Sequence, residues 1–304
     1  MDASKPTLIV DHVSKSFGDF TAVNDLSLQV KPGRVFGLIG PNGAGKTTTI
    51  RMIVNITVPD SGRIELLGQP MTNALQDRIG YLPEERGLYR KMKVGEQLRF
   101  FAELKNVPGA EAERRIDVWL QKLNLQDWKE KRAKDLSKGM QQKIQFITAV
   151  IHEPDLLILD EPFSGLDPVS VDLMKETILE QKALGKTIIL STHQMEIAEK
   201  LCDDVCMINK SQKVFDGRLR EIRRSFAQNA VALRIDGADG SLDAPDLITN
   251  VRQNGEDTEV LLVPDASPQA LLRRLVEANA TVNKFELIEP TLHDIFIAKV
   301  KEST

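Results

Sequence analysis

The residues with the plainest chemical potential are those of Gly40-Pro-Asn-Gly-Ala-Gly-Lys46-Thr47. Glycines at these intervals let a backbone wrap a chain of phosphates, so that successive N–H groups and a helix N-terminus face negative charge. Lys46 adds an ammonium beside the outer phosphates, and Thr47 offers a hydroxyl to Mg²⁺. The pattern requires a strand before it and a helix after it. The run Arg34–Ile39 and a helix beginning near Lys46 are expected to supply them. A glycine-rich turn of a dinucleotide-binding fold is the competing reading, and the Lys-Thr ending weighs against it.

A second set lies at Leu156-Leu-Ile-Leu-Asp160-Glu161-Pro162. A buried strand ending in a carboxylate presents that group at the ligand-facing edge of a parallel sheet. Asp160 can hold Mg²⁺ there through water, and Glu161 can orient or deprotonate an attacking water. Acidic strand ends are common, so the pair takes its meaning from its company. Joined to the phosphate loop, it completes a nucleoside triphosphatase site.

Three more segments follow in order around this pair. Leu136-Ser-Lys-Gly-Met-Gln-Gln-Lys143 opens a long helix carrying Ile144, Phe146, Ile147, Val150 and Ile151 on an apolar face. Ser164-Gly-Leu-Asp167 comes just after the acidic pair, and Thr192-His193 after the next strand. Leu136–Lys143 resembles the Leu-Ser-Gly-Gly-Gln signature of ATP-binding cassette (ABC) ATPases. The order of all these motifs over about residues 7–224 is similar to that family's.

The resemblance implies an ATP site shared between two protomers. Gly40, Pro41, Asn42, Gly43, Ala44, Gly45, Lys46, Thr47 and Thr48 would bind the nucleotide, and Thr47, Asp160 and Glu84 would hold Mg²⁺. Lys46, Glu84, Glu161 and His193 would form the catalytic set, with His193 contacting the γ-phosphate and holding Glu161 and the water in place. Ser137 and Gly139 would contact the γ-phosphate bound to the other protomer, and Asp167 would communicate between the two sites. Phe17 would either stack on the adenine or serve as a core aromatic beside a hairpin. The signature departs from the family's at Lys138, for a glycine, and at Met140, for a glutamine, whereas Ser137 and Gly139 remain. A third departure lies in Ile79-Gly-Tyr-Leu-Pro-Glu-Glu-Arg-Gly-Leu-Tyr89. Where the family's strand ends in a glutamine that reaches Mg²⁺ and water, this chain has Glu84. Glu85 is expected to be the solvated lip of the turn.

The elements that must position these groups are legible as alternation. Strand-like and helix-like segments alternate to about residue 216, which predicts an α/β core. Arg34–Ile39, Asp155–Asp160, Thr187–Leu190 and Val205–Ile208 read as strands buried on both faces. Thr7–Val13 and Thr21–Val30 read as more exposed antiparallel strands, with Phe17-Gly18-Asp19 at their turn. From Arg86 to Asp135 the sequence is charge-rich and helical, with apolar spacing in Val94, Leu98, Phe101 and Leu104. The expected fold is therefore a phosphate-loop ABC ATPase core, residues 1–224. It has a mixed sheet and a helical subdomain inserted at about 86–150. Arg218–Gln228 reads as a basic, solvated linker helix, with a lipid-headgroup or nucleic-acid patch as the lesser alternative, and residues 229–304 as a small α+β accessory domain. That domain should contain strands at Val231–Ile235, Glu259–Val263 and Thr281–Leu287 and a helix at Pro268–Ala278. A last helix, Thr291–Val300, opens on a Thr291/Asp294 capping box. A Ser-Lys-Gly signature, with a C-terminal domain ending much like Glu289-Pro-Thr-Leu-His-Asp-Ile-Phe-Ile297, resembles one group of bacterial exporter ATPases. Some of that group are associated with sodium, drug or antibiotic export.

Composition narrows the classes. The chain has 304 residues, 41% hydrophobic and 28% charged, with a net charge of −4. These are values of a globular protein, and the acidic balance argues against a general nucleic-acid binder. Leu156–Leu159 and Thr187–Leu190 are far too short to cross a bilayer. The N-terminal MDASKPTLIVDH lacks the basic flank and apolar core of a signal peptide. Cys202 and Cys206 are expected to be buried, reduced thiols without a second ligand pair for a metal. The resemblance implies a cytoplasmic ATPase that hydrolyses ATP with Mg²⁺ and lies peripherally on the inner face of the cell membrane. Its partners would be a second protomer and an integral membrane transporter subunit docked near Leu88-Tyr89-Arg90, with no nucleic acid. An ABC ATPase acting on nucleic acid or ribosomes is the alternative, disfavoured by a single cassette without sustained heptads. A non-hydrolysing regulatory protein is disfavoured by Asp160, Glu161 and His193.

Overall fold

The structure, a computed structural model, describes residues 5–85, 87–226, 229–237, 242–264 and 266–302. Arg86, at the expected start of the helical insertion, and residues 227–228 of the expected linker lie outside them. The chain divides into two compact units, Met1–Leu219 and Arg220–Thr304.

The first unit opens with two antiparallel strands, β1 (Leu8–Phe17) and β2 (Phe20–Val30), whose turn holds Gly18 and Asp19. The next apolar run forms β3 (Val35–Ile39), and helix α1 (Lys46–Ile53) follows the glycine loop. β4 (Ser61–Leu66) and β5 (Gln69–Pro70), which no sequence pattern announced, complete a sheet of order β2-β1-β4-β5. β6 (Ile79–Leu82) leads into the helical insertion: α2 (Val94–Leu104), α3 (Gly109–Lys122) and α4 (Lys138–Val150). The chain then returns through β7 (Leu156–Asp160), α5 (Pro168–Ala183), β8 (Thr187–Thr192), α6 (Met195–Leu201), β9 (Asp204–Asn209) and β10 (Gln212–Arg218).

The central sheet has the order β10-β9-β3-β8-β7-β6. Its neighbours run parallel except for the edge strand β10. Every residue of β3, β7 and β8 is buried, the pattern of strands covered on both faces. Because these three are adjacent and parallel, their C-terminal ends share one edge of the sheet. Register pairs Ile39 with Thr192 and Asp160 with Ser191, so the glycine loop, the acidic pair and His193 emerge side by side.

Two helices differ from the periodic reading. In α2, Val94 and Leu98 are fully buried, but Leu104 is 58% exposed, because the apolar stripe runs out onto a surface groove. In α4 burial extends to Gln142 and Gln145 as well as to the apolar positions, since the helix lies among β6, α2 and α3.

The second unit begins within α7 (Leu219–Phe226), at Arg220. β11 (Ala230–Asp236), β12 (Ile248–Asn254), β13 (Asp257–Leu262) and β14 (Thr281–Leu287) make an antiparallel sheet of order β12-β13-β11-β14. Val231, Leu233, Val260 and Leu262 form a core with Leu271 and Leu275 of α8 (Pro268–Glu277). α9 (Leu292–Glu302) begins with reciprocal bonds: Asp294 N–H donates to Thr291 Oγ1 at 3.2 Å and Thr291 N–H to Asp294 Oδ2 at 3.0 Å. Cys202 and Cys206 are buried and unpaired, and burial pushes both thiols up. Among the described residues no helix is long and apolar enough to cross a membrane.

Gly80 sets one of the close approaches in this scaffold. A Cβ added to Gly80 of β6 would come within 2.0 Å of the Ala149 carbonyl oxygen in α4 and 2.8 Å of Pro154 Cγ. Neither neighbour is the free end of a flexible side chain. Gly80→Ala should therefore destabilise the first unit by about 2 kcal/mol or more, as overpacking does. Urea midpoints read on tryptophan fluorescence check this, since Trp119 and Trp128 both lie in the first unit, and an unchanged midpoint would show that α4 withdraws from β6 without cost.

Candidate functional site

At the shared edge of the sheet lies a cavity of about 390 Å³. Asn42, Gly43, Gly45, Lys46, Thr47 and Thr48 line it from the glycine loop, and Glu84, Asp160 and Glu161 from the two acidic segments. Phe20 and Ala22 close one side. Gly45 turns the loop into α1 with φ at +109°, where an added Cβ would meet the Ala22 carbonyl oxygen at 2.4 Å. Only glycine permits that turn, which delivers the first free N–H groups of the helix to the cavity.

Lys46 is buried, and its ammonium donates to the carbonyls of Gly40 (2.8 Å) and Pro41 (3.1 Å). Burial pulls its pKa down, against the opposite pull of Glu161, Asp160 and Glu84. Thr47 Oγ1 donates to Asp160 Oδ2 at 3.0 Å. Asp160 is fully buried, and its other oxygen, Oδ1, has no hydrogen-bond partner. Burial pushes this carboxyl up, and the charges of Glu84 and Glu161 push the same way. The Ser191 hydroxyl is near enough to favour the carboxylate, yet it is not in hydrogen-bonding geometry.

Glu161 has φ at +50°, a left-handed conformation that costs a non-glycine residue about 1 kcal/mol. Its N–H donates to the Ser191 carbonyl at 3.0 Å, which fixes the turn. The side chain consequently folds back to β8. Glu161 Oε1 accepts from the backbone N–H of His193 at 2.9 Å and lies 2.8 Å from its Nδ1, while Oε2 accepts from Thr192 Oγ1 at 3.3 Å. A carboxylate held this way, at the wall of a phosphate-sized cavity, can take a proton from a water that attacks a phosphoryl group. The His193 ring is half exposed and can reach outward to the same group.

Glu84 and Glu85 part company. Glu84 lines the cavity and contributes to the field on both Lys46 and Asp160. The Glu85 side chain is 88% exposed and pairs at 3.7 Å with Arg51. An orphaned buried carboxylate oxygen, a hydroxyl and a second carboxylate form an all-oxygen donor set, which fits Mg²⁺. Among the described residues no group of three or more His, Cys, Asp or Glu is arranged to hold a metal by itself. Mg²⁺ that arrives with a nucleotide takes much of its coordination from phosphates and water and requires none.

The remaining expected site residues lie elsewhere. Ser137, Gly139 and Asp167 do not line the cavity. Ser137 caps α4, its hydroxyl accepting from the N–H of Met140 at 3.2 Å. Asp167 caps α5 through the N–H and hydroxyl of Ser170, and these bonds hold its carboxyl low. A Cβ on Gly139 would touch Leu166 and Gly165, so these two segments adjoin. Gly40 and Pro41 serve through their carbonyls, and Ala44 is buried beneath the loop. Phe17 is 54% exposed with Lys15 Nζ 5.6 Å from its ring, and it is its cross-strand partner Phe20 that faces the cavity. Sequence reasoning passed over Phe20, although two aromatics flanking one turn offered the choice. A larger cavity, about 480 Å³, lies in the second unit among Phe226, Arg252, Glu259, Leu261, Ile288 and Asp294. It lacks the loop and the paired carboxylates, so its size does not make it the reaction site.

Comparison with known proteins agrees with this geometry. Residues 23–164 match the ABC transporter family, and residues 217–300 match the C-terminal domain of DrrA1-3-like ATP-binding proteins. Over 96% of its length the chain is 45% identical to the uncharacterized ABC transporter ATP-binding protein YhaQ of Bacillus subtilis, 98% of which is covered. The chain belongs to the ATP-binding proteins of ABC transporters. Its first unit is thus an ABC ATPase cassette that binds and hydrolyses ATP. The Nod factor export ATP-binding protein I of Cupriavidus metallidurans is 39% identical over 69% of this chain and 71% of that protein. An ATP-binding subunit of an ABC transporter superposes with a TM-score of 0.68 at 35% identity, covering 72% of this chain and 93% of that one. The cbiO1 protein of Clostridium perfringens, part of the cbiONQ transporter complex, gives 0.63 at 28% identity, covering 73% and 94%.

Two outcomes follow for the ABC cassette. Glu161→Gln keeps the shape but removes the carboxylate, so ATP turnover should fall about a hundredfold or more, the scale of a lost general base. Retained turnover in a phosphate-release assay would move the role elsewhere. Glu84→Gln should raise the Mg²⁺ concentration needed for hydrolysis and leave metal-free ATP binding equal or tighter, since one charge near the triphosphate is gone. Glu85→Gln should do neither. Matched Mg²⁺ titrations and metal-free binding isotherms decide this, and coincidence of both variants with wild type would reduce Glu84 to a turn residue.

Proposed function

We propose that this chain energises export through a separate membrane subunit, by ATP-driven closure of two cassettes on one another. The reaction is hydrolysis of ATP to ADP and phosphate, with water attacking the γ-phosphoryl group as Glu161 takes its proton and His193 aligns the pair. Lys46, Thr47 and Thr48 would bind the triphosphate, and Thr47, Asp160 and Glu84 would hold Mg²⁺, which neutralises phosphate charge there.

One observation carries the dimeric reading. Ser137 and Gly139 stand at an exposed helix N-terminus, outside the cavity formed by their own chain. A helix N-terminus favours a phosphate brought to it by another molecule. Closure of two copies would bring each one's α4 to the other's γ-phosphate, with Asp167 next to the seam.

For the membrane subunit the best-suited surface is a groove of about 360 Å³ beside β6, lined by Val54, Ile56, Tyr81, Phe101, Leu104 and His152. Ile56 is 62% and Leu104 58% exposed, as befits a seat for an apolar helix. Tyr89, near the docking point expected from sequence, stacks 6.1 Å from Phe101 and so borders this groove. The export direction is supported by relatives such as the Nod factor export protein. This arrangement would place the protein peripherally on the inner membrane face.

Ser137→Arg should abolish turnover yet leave ATP binding to the single chain intact. A mixture with Lys46→Ala should recover activity absent from either variant, because one mixed site carries neither defect. Silence in the mixture, with both variants folded, counts against closure of two copies. Recovery of the chain with nucleic acid rather than with an integral protein from solubilised membranes would contradict the transport role.

A further inference from the structure

Four polar side chains interrupt the buried surface of α4 and the turn after it: Gln142, Gln145, Thr148 and His152. At 100° per residue they fall within about a third of the helix circumference, so they form one stripe. Gln142 and Gln145 are only 1% and 4% exposed, which is unusual for glutamine. Their amides are not spent on each other. Gln142 Nε2 donates to the carbonyls of Glu161 (3.5 Å) and Pro162 (3.3 Å), the backbone of the catalytic turn. Gln145 Nε2 donates to the carbonyl of Glu85 at 3.2 Å, one residue beyond Glu84. Thr148 Oγ1 donates to the Gln145 carbonyl at 2.7 Å, and His152 Nε2 donates to Ile79 at the start of β6, 3.1 Å away. The stripe therefore joins the catalytic turn, the loop bearing Glu84 and the start of β6, and Thr148 and His152 also line the groove proposed for the membrane subunit.

We propose that Gln142 and Gln145 are positioning residues, a two-point clamp through which α4 fixes the spacing between the Glu84 loop and the Glu161 carboxylate. A buried amide donor to a backbone carbonyl is costly to lose without replacement, so each contact resists slippage. The two donors sit three residues apart on one rigid helix. A shift of the Glu84 loop is thereby passed to Glu161 rather than absorbed. Gln145 Oε1 is buried without a partner, so this side chain is held for its donor alone. The contact thus accepts a local cost, as functional positions do. A membrane subunit seated against Thr148 and His152 would press on the same helix, which links occupancy of the groove to the alignment of the base.

This inference rests on Glu161 being the base, so Glu161→Gln is measured alongside. In the full chain, Gln142→Met and Gln145→Met keep the length of the side chain and remove the donor. Each should lower kcat by about tenfold, the scale of a misplaced reacting group, with KM for ATP and metal-free ATP affinity within about twofold of wild type. At a Mg²⁺ concentration that limits turnover of Glu84→Gln, combining it with Gln145→Met should cost less than the product of the single effects, by about threefold or more, since both act on one alignment. Effects that multiply, or a KM change with kcat intact, overturn the clamp. Gln145→Leu, which removes the donor without adding a charge, serves if the methionine variant does not fold. Wild-type turnover in that folded variant overturns it equally. A Glu161→Gln chain that still turns over defeats the underlying reading instead.

Discussion

Negative charge gathered around one buried ammonium governs the rest of this cassette. Lys46 shares its cavity with Asp160, Glu161 and Glu84, and its ammonium is satisfied by the Gly40 and Pro41 carbonyls rather than by an ion pair. Three carboxylates against one lysine would repel a bare triphosphate. Charge neutralisation by Mg²⁺ would resolve that conflict, and Asp160 Oδ1, buried without a hydrogen-bond partner, is an oxygen that could serve such a metal. Apart from Lys46, the glycine loop offers only neutral N–H groups and a helix N-terminus, which favour phosphate without adding a further counter-ion.

The scaffold serves that charge arrangement. Parallel register between β7 and β8 brings Asp160 beside Ser191, and the left-handed turn at Glu161 directs its carboxylate to His193. β6 adds Glu84 from the far side of β7, and Gly80 lets α4 lie against that strand closely enough for its glutamines to reach both loops. Hence the same helix that presents Ser137 outward ties together the inward-facing acids.

The phosphate loop, the acidic strand end and the order of the motifs were legible because each depends on residue type at fixed spacing. The strands β3, β7, β8 and β9 were legible as short continuous apolar runs between turn residues. Other features lack such a signal. β12, of sequence ITNVRQN, is exposed at six of its seven positions, and β5 has two residues, so neither carries an alternating pattern. Phe20 and Phe17 are equivalent to any rule based on type, and only the lining of the cavity shows which one faces it. Glutamine in a helix ordinarily faces water, and burial of Gln142 and Gln145 emerges only when β6 is laid against α4. The roles assigned to Ser137 and Asp167 need a second chain, which one sequence cannot supply. In the single chain both residues act as helix caps.

The most direct measurement is a structure of the full chain with Mg²⁺ and a non-hydrolysable ATP analogue. We predict that Lys46 Nζ leaves the Gly40 and Pro41 carbonyls for the outer phosphates. The Asp160 carboxylate should then face the metal with Glu84 on the same side, and Glu161 should remain bonded to His193. Nucleotide bound elsewhere, with Lys46 still held by its own loop, would contradict it.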